Sequence, residues 1–255
     1  PLAASGHADR HSDQLNIPIN GVCVYFFIEP MTERDIERVR EIEQRSFTTL
    51  WSAATYRREL RNPHGSRYIV VRASPTPPPP NPVQAAPQHH WLTRLFALFL
   101  RNQTPPSPFP IVGYGGVWLS LTEGHITTIA VAPEWRGHGL GELILAGLID
   151  EALGLGATVL TLEVRVSNNI AQQPSLKYGF RPAGTRQRYY TDNNEDALMM
   201  WTDSIREPAY QERLRQLRSH LFERLRAQAG DHHPPSLMPY SSAGTSAPIP
   251  HKGQS

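Results

Sequence analysis

The segment 129–141, with the sequence IAVAPEWRGHGLG, constrains the fold of this chain more than any other. Its first three residues, IAV, favour a β-strand, Pro133 ends that strand, and the apolar run ELILAGLIDEAL after the glycines favours a helix. The glycines at 137, 139 and 141 leave a turn without side chains, which lets a ligand approach the backbone closely. A helix that starts there directs free backbone N–H groups and its positive end outward, so the segment predicts an anion-binding site.

The spacing of the glycines separates two kinds of nucleotide site. A dinucleotide-binding fold shows G-x-G-x-x-G, with an acidic residue about 20 residues later. Here the spacing differs and a cation, Arg136, precedes the glycines. A tight turn without a ligand is the structural alternative. The pattern R-x-x-G-x-G after strand-Val-x-Pro resembles the pyrophosphate-binding motif of the GNAT superfamily of acyl-CoA-dependent N-acetyltransferases.

Further blocks resemble one branch of that superfamily, the RimI-like enzymes that acetylate the N-terminal α-amines of proteins. Residues 162–180 read LEVRVSNNIAQQPSLKYGF, and residues 186–200 read RQRYYTDNNEDALMM. The branch typically shows L-E-V-R-x-S-N, then A-x-x-L-Y-x-x-x-G-F, then R-x-x-Y-Y and E-D-A-x-x-M. The upstream segment 28–60 agrees as well. The resemblance covers roughly residues 25–72 and 111–205, and its blocks follow the order of the family.

The resemblance implies the α/β fold of the GNAT acyl-CoA N-acyltransferases. This fold is a mixed, mostly antiparallel sheet with a splayed parallel pair, flanked by helices, and acetyl-CoA lies in the splay. Periodicity and turn residues predict matching elements. The strands are expected at about 22–29, 67–72, 111–120, 124–132, 158–165, 181–190 and 196–203. The helices are expected at about 32–46, 52–61, 139–154 and 169–177.

The resemblance also implies acetyl-CoA as the cosubstrate and indicates which residues bind it. Its phosphates would meet the glycine turn, and its pantetheine arm would meet the free backbone groups of the preceding strand. A backbone N–H near Val131 is the expected oxyanion donor. Asn168 matches a position that contacts CoA in the family, and it is also a candidate helix N-cap. The predicted cofactor-binding residues are Ile129, Ala130, Val131, Arg136, Gly137, His138, Gly139, Leu140, Gly141 and Asn168.

Two positions are implied to carry the catalytic chemistry. Glu163 falls on the general-base position of the family's LEVR block. A lone glutamate in the apolar run TVLTLEVRV is unusual on burial grounds, which supports a role, whereas pairing with Arg165 at the surface is the structural alternative. The general-acid tyrosine of the family falls on Ser175. Pro174 precedes it inside the predicted helix, where an interior proline predicts a kinked or shortened helix.

Two apolar groups are predicted to bind the incoming peptide. Tyr189 and Tyr190 fall near the turn of the last hairpin, which closes over the peptide in the family. Phe47, Leu50 and Trp51, between the first two helices, would form the opposite wall. Exposed aromatic residues are typical of peptide recognition. Ordinary strand aromatics and core packing are the structural alternatives.

These features predict transfer of an acetyl group from acetyl-CoA to the α-amine of a protein N-terminus, with Glu163 as general base. The best-known target of the family, a small-subunit ribosomal protein that begins with alanine, is the candidate substrate. One alternative is an acetyltransferase for a lysine or a small-molecule amine. Another is a catalytically impaired CoA-binding relative, because Ser175 stands at the tyrosine position. The sequence shows no metal-ligand pattern, so no metal is predicted.

Composition distinguishes the predicted acetyltransferase domain from the segments before, within and after it. The acetyltransferase domain is predicted over 21–205, after a disordered segment over 1–20. A proline-rich insertion over 73–110 is predicted to carry a short apolar helix. Residues 206–229 predict an amphipathic basic helix, and residues 230–255 predict a disordered tail.

The basic helix and the composition bear on partners and compartment. Leucines at three- to four-residue spacing alternate with arginines, so the helix either packs on its own domain or contacts a ribosome or another acidic surface through 210–229. The formal net charge of +2 gives no argument for nucleic acid. The single cysteine, Cys23, fits a reducing compartment. No apolar run reaches the roughly 20 residues that span a bilayer, so a cytoplasmic protein is expected.

Overall fold

The computed structural model describes residues 15–19, 22–75 and 107–227, which build one mixed sheet with helices on both faces. The strands are β1 (Leu15–Ile19), β2 (Val22–Pro30), β3 (Ser66–Ser74), β4 (Ile111–Ser120), β5 (Glu123–Val131), β6 (Val159–Arg165), β7 (Arg181–Tyr190) and β8 (Glu195–Trp201). The helices are α1 (Ile36–Gln44), α2 (Ala53–Leu60), α3 (Leu140–Leu155), α4 (Asn169–Lys177) and α5 (Pro208–Ala227). Short 3-10 turns precede α1 and α3, at Glu33–Asp35 and Pro133–Trp135.

The sheet has the order β1-β2-β3-β4-β5-β6-β8-β7, and one pair of neighbours is parallel. The parallel pairing of β5 with β6 begins at Glu123↔Val159 and ends at Ile126↔Leu162. β5 nevertheless continues to Val131. The two strands therefore separate beyond Ile126 and leave a gap between them. This arrangement confirms the predicted fold, a mostly antiparallel sheet with a splayed parallel pair.

The predicted elements agree with the observed bounds to within about two residues, except that α1 begins four residues late, after a 3-10 turn at Glu33–Asp35, and that one strand was omitted. Leu15–Ile19 form β1, paired with β2, although disorder was predicted over 1–20, so that prediction was wrong for these residues. The overlooked signal is Asn20-Gly21, a dipeptide typical of tight hairpin turns, between two strand-like runs. Pro18 is compatible with β1 because β1 lies at the edge of the sheet.

Glycines in β4 let side chains pack closely against both faces of the sheet. A Cβ on Gly115 would come within 2.6 Å of Ile144 in α3, and a Cβ on Gly116 would come within 2.2 Å of the Tyr68 ring on the opposite face. The ring of Tyr56 in α2 packs edge-on against Tyr68, with centroids 5.9 Å apart. α3 therefore covers one face of the central strands, while α1 and α2 cover the other.

The proline-rich insertion connects the end of β3 to the start of β4, at the tip of their hairpin. The Ala73 N–H donates to the Pro110 carbonyl at 3.1 Å, so the two ends of the insertion are held together. β3 includes Ala73 and Ser74, although the insertion was predicted to begin at residue 73. The apolar helix predicted within 73–110 and the predicted tail over 230–255 lie outside the described residues.

α5 packs along α3, which is the packing alternative considered for the basic helix. Its buried leucines are Leu214, Leu221 and Leu225. The guanidinium of Arg218 pairs with Asp150, and that of Arg224 pairs with Glu142 in the first turn of α3. These arginines are thus engaged within the domain, and a contact of 210–229 with the ribosome stays a prediction. Within the described ranges, every helix is too short or too polar to cross a bilayer.

Candidate active site

The strand-to-helix turn has the backbone conformation that its glycines predict. Gly137 and Gly139 have φ angles of 81° and 77°, in the left-handed region where side chains are strained. α3 begins at Leu140, and the N–H groups of its first turn have no acceptor within the helix. A Cβ on Gly137 or Gly141 would find no atom within 4 Å, so the turn is open beside these two residues. The turn therefore offers backbone donors and free space to an anion.

Side chains around the turn differ in what they can offer a ligand. Leu140 is buried, so only its backbone can contact one. The Nδ1 of His138 lies 2.9 Å from the Arg136 carbonyl oxygen. The Nε of Arg136 donates to the Val131 carbonyl at 3.1 Å, and its Nη2 donates to the Ser46 hydroxyl at 3.0 Å. Arg136 thus ties the end of β5 to the loop after α1, with its charge beside the turn.

The free edge of β5 presents alternate backbone groups to the gap. The Ala132 N–H donates to the Val112 carbonyl of β4 at 2.8 Å. Because successive residues of a strand direct their N–H and C=O groups to opposite edges, Ile129 and Val131 direct theirs into the gap. Ala130 directs its own toward β4, so a contact of Ala130 with acetyl-CoA, which stays a prediction, would not use its backbone groups.

Glu163 lies on the face of the sheet opposite α3, just beyond the last pair of the parallel register. Its side chain is 10% exposed. One carboxylate oxygen, Oε2, lies 3.2 Å from His125 Nε2, and Oε1 lies 3.1 Å from Arg186 Nη1. The pairing with Arg165 considered from the sequence is not formed, because that guanidinium binds Asp192 at 2.8 Å. The described structure thus holds Glu163 between an imidazole and a guanidinium.

Burial controls the ionisation of the groups around Glu163. Burial lowers the pKa of the His125 imidazole below its ordinary value, although the carboxylates of Glu163 and Glu123 act in the opposite direction. Burial raises the pKa of the Tyr189 phenol, and the charge of Glu163 raises it further. His125 and Tyr189 are therefore neutral near pH 7. Among these groups, Arg186 contributes the positive charge next to the carboxylate.

The β7–β8 hairpin and the loop between α1 and α2 flank this face together. Tyr189 is 43% exposed. The Arg165 guanidinium stacks on the half-buried ring of Tyr190, 3.9 Å from its centroid. The Arg165 guanidinium also binds Asp192 in the hairpin turn at 2.8 Å and lowers the pKa of that carboxyl, and the Thr48 hydroxyl of the α1–α2 loop acts in the same direction.

The predicted wall between α1 and α2 contains two exposed residues and one packed residue. Phe47 and Leu50 are each 41% exposed. The ring of Trp51 instead packs against Tyr56 and Tyr68, with centroids 5.5 Å and 6.3 Å apart. Phe47 and Leu50 are available to a ligand, whereas Trp51 chiefly extends the aromatic core.

The two remaining predicted residues, Asn168 and Ser175, both make hydrogen bonds to the backbone of α4. Asn168 caps the helix, since its side-chain oxygen accepts from the Ala171 N–H at 3.1 Å. Ser175 is buried, and its hydroxyl donates to the Ala171 carbonyl at 3.1 Å. This bond commits the hydroxyl to the helix and argues against Ser175 as a general acid. α4 extends over Asn169–Lys177 with Pro174 inside it, so the helix is not shortened, and the predicted kink stays a prediction.

Comparison with known proteins decides the family. Residues 36–180, which include the glycine turn and Glu163, match the model of the acetyltransferase (GNAT) family. The chain belongs to the GNAT family of acetyltransferases. A Bacillus subtilis protein assigned as a ribosomal protein bS18-alanine N-acetyltransferase is 34% identical over 175 residues, covering 68% of this chain and 93% of the relative. The match shows that the resemblance to the RimI-like branch was correct.

Other relatives agree at the level of family and fold. A Haemophilus influenzae ribosomal protein bS18-alanine N-acetyltransferase is 30% identical over 169 residues, covering 65% of this chain and 90% of the relative. The structure of Ard1 from Thermoplasma volcanium is similar with a TM-score of 0.50 at 22% identity, covering 69% of this chain and 95% of that one. The structural likeness supports the GNAT fold.

Four side chains near Glu163 were not predicted from the sequence. They are Glu123, His125, Thr161 and Arg186. The first three lie on adjacent strands, on the same face as Glu163, and Arg186 reaches Glu163 from β7. The sequence signal is a period of two, since Glu123 and His125 alternate in one strand, as Thr161 and Glu163 do in the next. The described residues contain no cluster of metal-ligating side chains.

Pro174→Leu is expected to stabilise this GNAT domain while leaving its turnover rate nearly unchanged. An interior proline costs a helix roughly 3 kcal/mol, but proline also restricts the unfolded chain, so the net gain should be smaller, about 1 kcal/mol. The melting temperature measured by calorimetry should rise by about 2–4 °C.

Ser175→Ala is the companion variant. Its rate should stay within about twofold of the parent because the hydroxyl already serves the helix, and a large fall in rate would restore Ser175 as a catalytic candidate.

Proposed function

We propose that this GNAT-family protein transfers the acetyl group of acetyl-CoA to the α-amine of a protein N-terminus. The observation that carries the proposal is the position of Glu163, a mostly buried carboxylate beside the gap between β5 and β6. The same face carries the two segments suited to bind a peptide. The B. subtilis and H. influenzae relatives are named for acetylation of ribosomal protein bS18 at alanine. A ribosomal protein that begins with alanine is therefore the proposed substrate.

The turn and the free edge of β5 fit the acetyl donor. Acetyl-CoA would supply its acetyl group as a thioester, the electrophile that the amine attacks. Gly137, Gly139 and Gly141, with the start of α3, would bind the phosphates through backbone N–H groups, and Arg136 would add charge. The backbone groups of Ile129, which face the gap, would bind the pantetheine arm. The N–H of Val131 would also stabilise the developing oxyanion.

Glu163 would act as the general base toward the amine. A peptide α-amine has a pKa near 7.7–8.0, so a good fraction of it is already neutral near pH 7. A lysine amine has a pKa near 10.4 and is almost fully protonated there, so it needs a much stronger general base. This difference favours an α-amine over a lysine as the acceptor. Phe47, Leu50, Tyr189 and Tyr190 would bind the first residues of the peptide on the two sides of the base.

The decisive experiment is intact-mass spectrometry after incubation with acetyl-CoA and a panel of peptides. The panel contains peptides that begin with alanine, serine or methionine, and an N-terminally blocked peptide with an internal lysine. We expect one added acetyl group on the alanine peptide and none on the blocked peptide. Acetylation of the blocked peptide would indicate an enzyme for another amine. Binding of acetyl-CoA without transfer to any peptide would indicate an impaired relative.

A further inference from the structure

A series of hydrogen-bonded side chains extends from Glu163 along one face of the sheet, and the proposed acetyl transfer does not itself employ it. His125 Nε2 lies 3.2 Å from Glu163 Oε2, and His125 Nδ1 lies 2.9 Å from Thr161 Oγ1. The Thr161 hydroxyl in turn donates to Glu123 Oε1 at 2.9 Å. These contacts arise because the parallel register pairs His125 directly with Thr161. Four polar side chains from two strands thus form one continuous chain.

The two ends of the chain differ in their access to water. The side chain of Glu163 is 10% exposed, and its second oxygen is taken by Arg186 at 3.1 Å. Thr161 is buried. Glu123 is the first residue of β5 and is partly exposed. The chain therefore leads from a covered carboxylate to one that meets solvent.

The donors and acceptors of the chain fix the direction in which it can carry a proton. Thr161 has a single hydroxyl proton, which it donates to Glu123, so its oxygen accepts from the Nδ1–H of His125. In this arrangement the Nε2 of a neutral imidazole is an acceptor that faces Glu163. The Nε2 lone pair lies 3.2 Å from Glu163 Oε2, so His125 is placed to take a proton that arrives on Glu163.

We propose that the proton that Glu163 removes from the acceptor amine leaves the site through His125 and Thr161 to Glu123. In this step the proton of Glu163 passes to His125 Nε2, the Nδ1 proton passes to Thr161, and the hydroxyl proton passes to Glu123. One proton enters the chain and another leaves it for water, while N–H and O–H bonds break and form in equal number and no electron is transferred. The inference rests on the proposed function, because acetylation of an ammonium group must release one proton.

The surroundings of His125 suit a relay residue. Three charged groups face the imidazole: Glu163 and Glu123 favour its protonation, while Arg186 and burial oppose it. Burial is the largest effect and lowers the pKa of His125, so the imidazole is neutral near pH 7 and free to accept a proton. The ring of Trp118 packs edge-on against the imidazole, with centroids 5.6 Å apart, and restricts its rotation.

Thr161→Val tests the relay with little change of shape. Valine replaces the hydroxyl by a methyl group on a β-branched side chain and leaves the contact between His125 and Glu163 in place. We expect kcat for an alanine peptide to fall about tenfold in dilute buffer, below the 10²–10⁴-fold range for loss of a general base. The KM for acetyl-CoA should not change. A high concentration of imidazole buffer should restore the rate, because a small base can take the proton in place of the hydroxyl.

Thr161→Ser is the matched control, since it keeps the hydroxyl and should retain kcat within about twofold. Glu123→Gln should lower kcat to the same extent as Thr161→Val, and the double variant should lose no more than either single variant. A wild-type rate for Thr161→Val in dilute buffer overturns the proposal. So does a lower rate that imidazole does not restore, because that result indicates a structural role for the hydroxyl.

A second readout does not depend on the acceptor. The ¹⁵N NMR shifts of His125, recorded without substrates, report which ring nitrogen carries the proton. We expect an Nδ1-protonated imidazole in the parent protein and a changed tautomer balance in Thr161→Val. Identical shifts in the two proteins overturn the relay. The expected shifts in a protein that acetylates no peptide support the hydrogen-bonded chain and overturn the proposed function instead.

Discussion

Glu163→Gln is expected to lower kcat about 10²–10⁴-fold at pH 7, the usual contribution of a positioned general base. Glutamine preserves the size of the side chain, but its amide cannot accept a proton from the amine. The loss should become smaller above about pH 8, because a peptide α-amine with a pKa near 7.7–8.0 is then neutral without help. Initial rates on an alanine peptide across a pH series would measure the effect. Calorimetry should show nearly unchanged affinity for acetyl-CoA.

Glu151→Gln is the matched control for the loss of a carboxylate. Glu151 lies in α3, 3.7 Å from the Arg67 guanidinium and outside the candidate site, so its replacement should leave kcat unchanged. If Glu163→Gln lowers the rate equally at every pH and also lowers the melting temperature, Glu163 has a structural role. The general-base proposal would then fail.

Gly141→Asp is expected to weaken acetyl-CoA binding about 10²–10³-fold. Gly141 lies in the first turn of α3, and a Cβ there meets no atom within 4 Å, so the new carboxylate fits without strain. A carboxylate and a phosphate about 4 Å apart repel by about 4 kcal/mol at an effective dielectric constant of 20. An acidic residue in the first turn favours the helix itself, so the melting temperature should not fall. Isothermal titration calorimetry would measure the loss.

Gly141→Ala separates charge from volume at the same position. The added methyl group should leave the affinity within about threefold of the parent and slightly favour the helix. Gly139 is a poorer test site, because its φ of 77° disfavours any side chain and a Cβ would come within 2.8 Å of Leu225. Unchanged affinity in Gly141→Asp would show that the phosphates bind elsewhere.

The bounds of most strands and helices were predictable because they depend on short sequence patterns. The alternation in IVGYGGVWLS and the caps around α3 gave strand and helix bounds close to those observed. Glu163 stood out because a charged residue rarely occupies an apolar strand. β1 escaped notice because its flanking residues are polar, although the turn dipeptide at 20–21 carried the signal.

The partners of Glu163 could not be predicted in the same way. The period-two spacing places His125 and Thr161 on definite faces of their strands, but which side chains meet depends on the register between strands. That register is set by packing of the opposite face on α3, a non-local effect. Arg186 comes from a third strand, which makes its contact still less accessible to local patterns.

The sequence also could not predict which apolar side chains of the α1–α2 loop are exposed. Phe47, Leu50 and Trp51 have the same apolar character, yet two of them are exposed and Trp51 packs against the tyrosines of the core. Likewise, the resemblance to the family pattern singles out Ser175, whereas its hydroxyl bond to Ala171 depends on how α4 is built around Pro174.

The packing of α5 against the glycine turn couples two parts of the molecule thermodynamically. Leu225 lies against Gly139, and Arg224 pairs with Glu142 in the first turn of α3, so docking of the helix and the conformation of the turn share contacts. Linkage requires reciprocity: a ligand that binds better when α5 is docked must, by the same factor, favour the docked helix. Slower amide hydrogen exchange near the end of α5 would therefore report that a ligand has bound at the glycine turn.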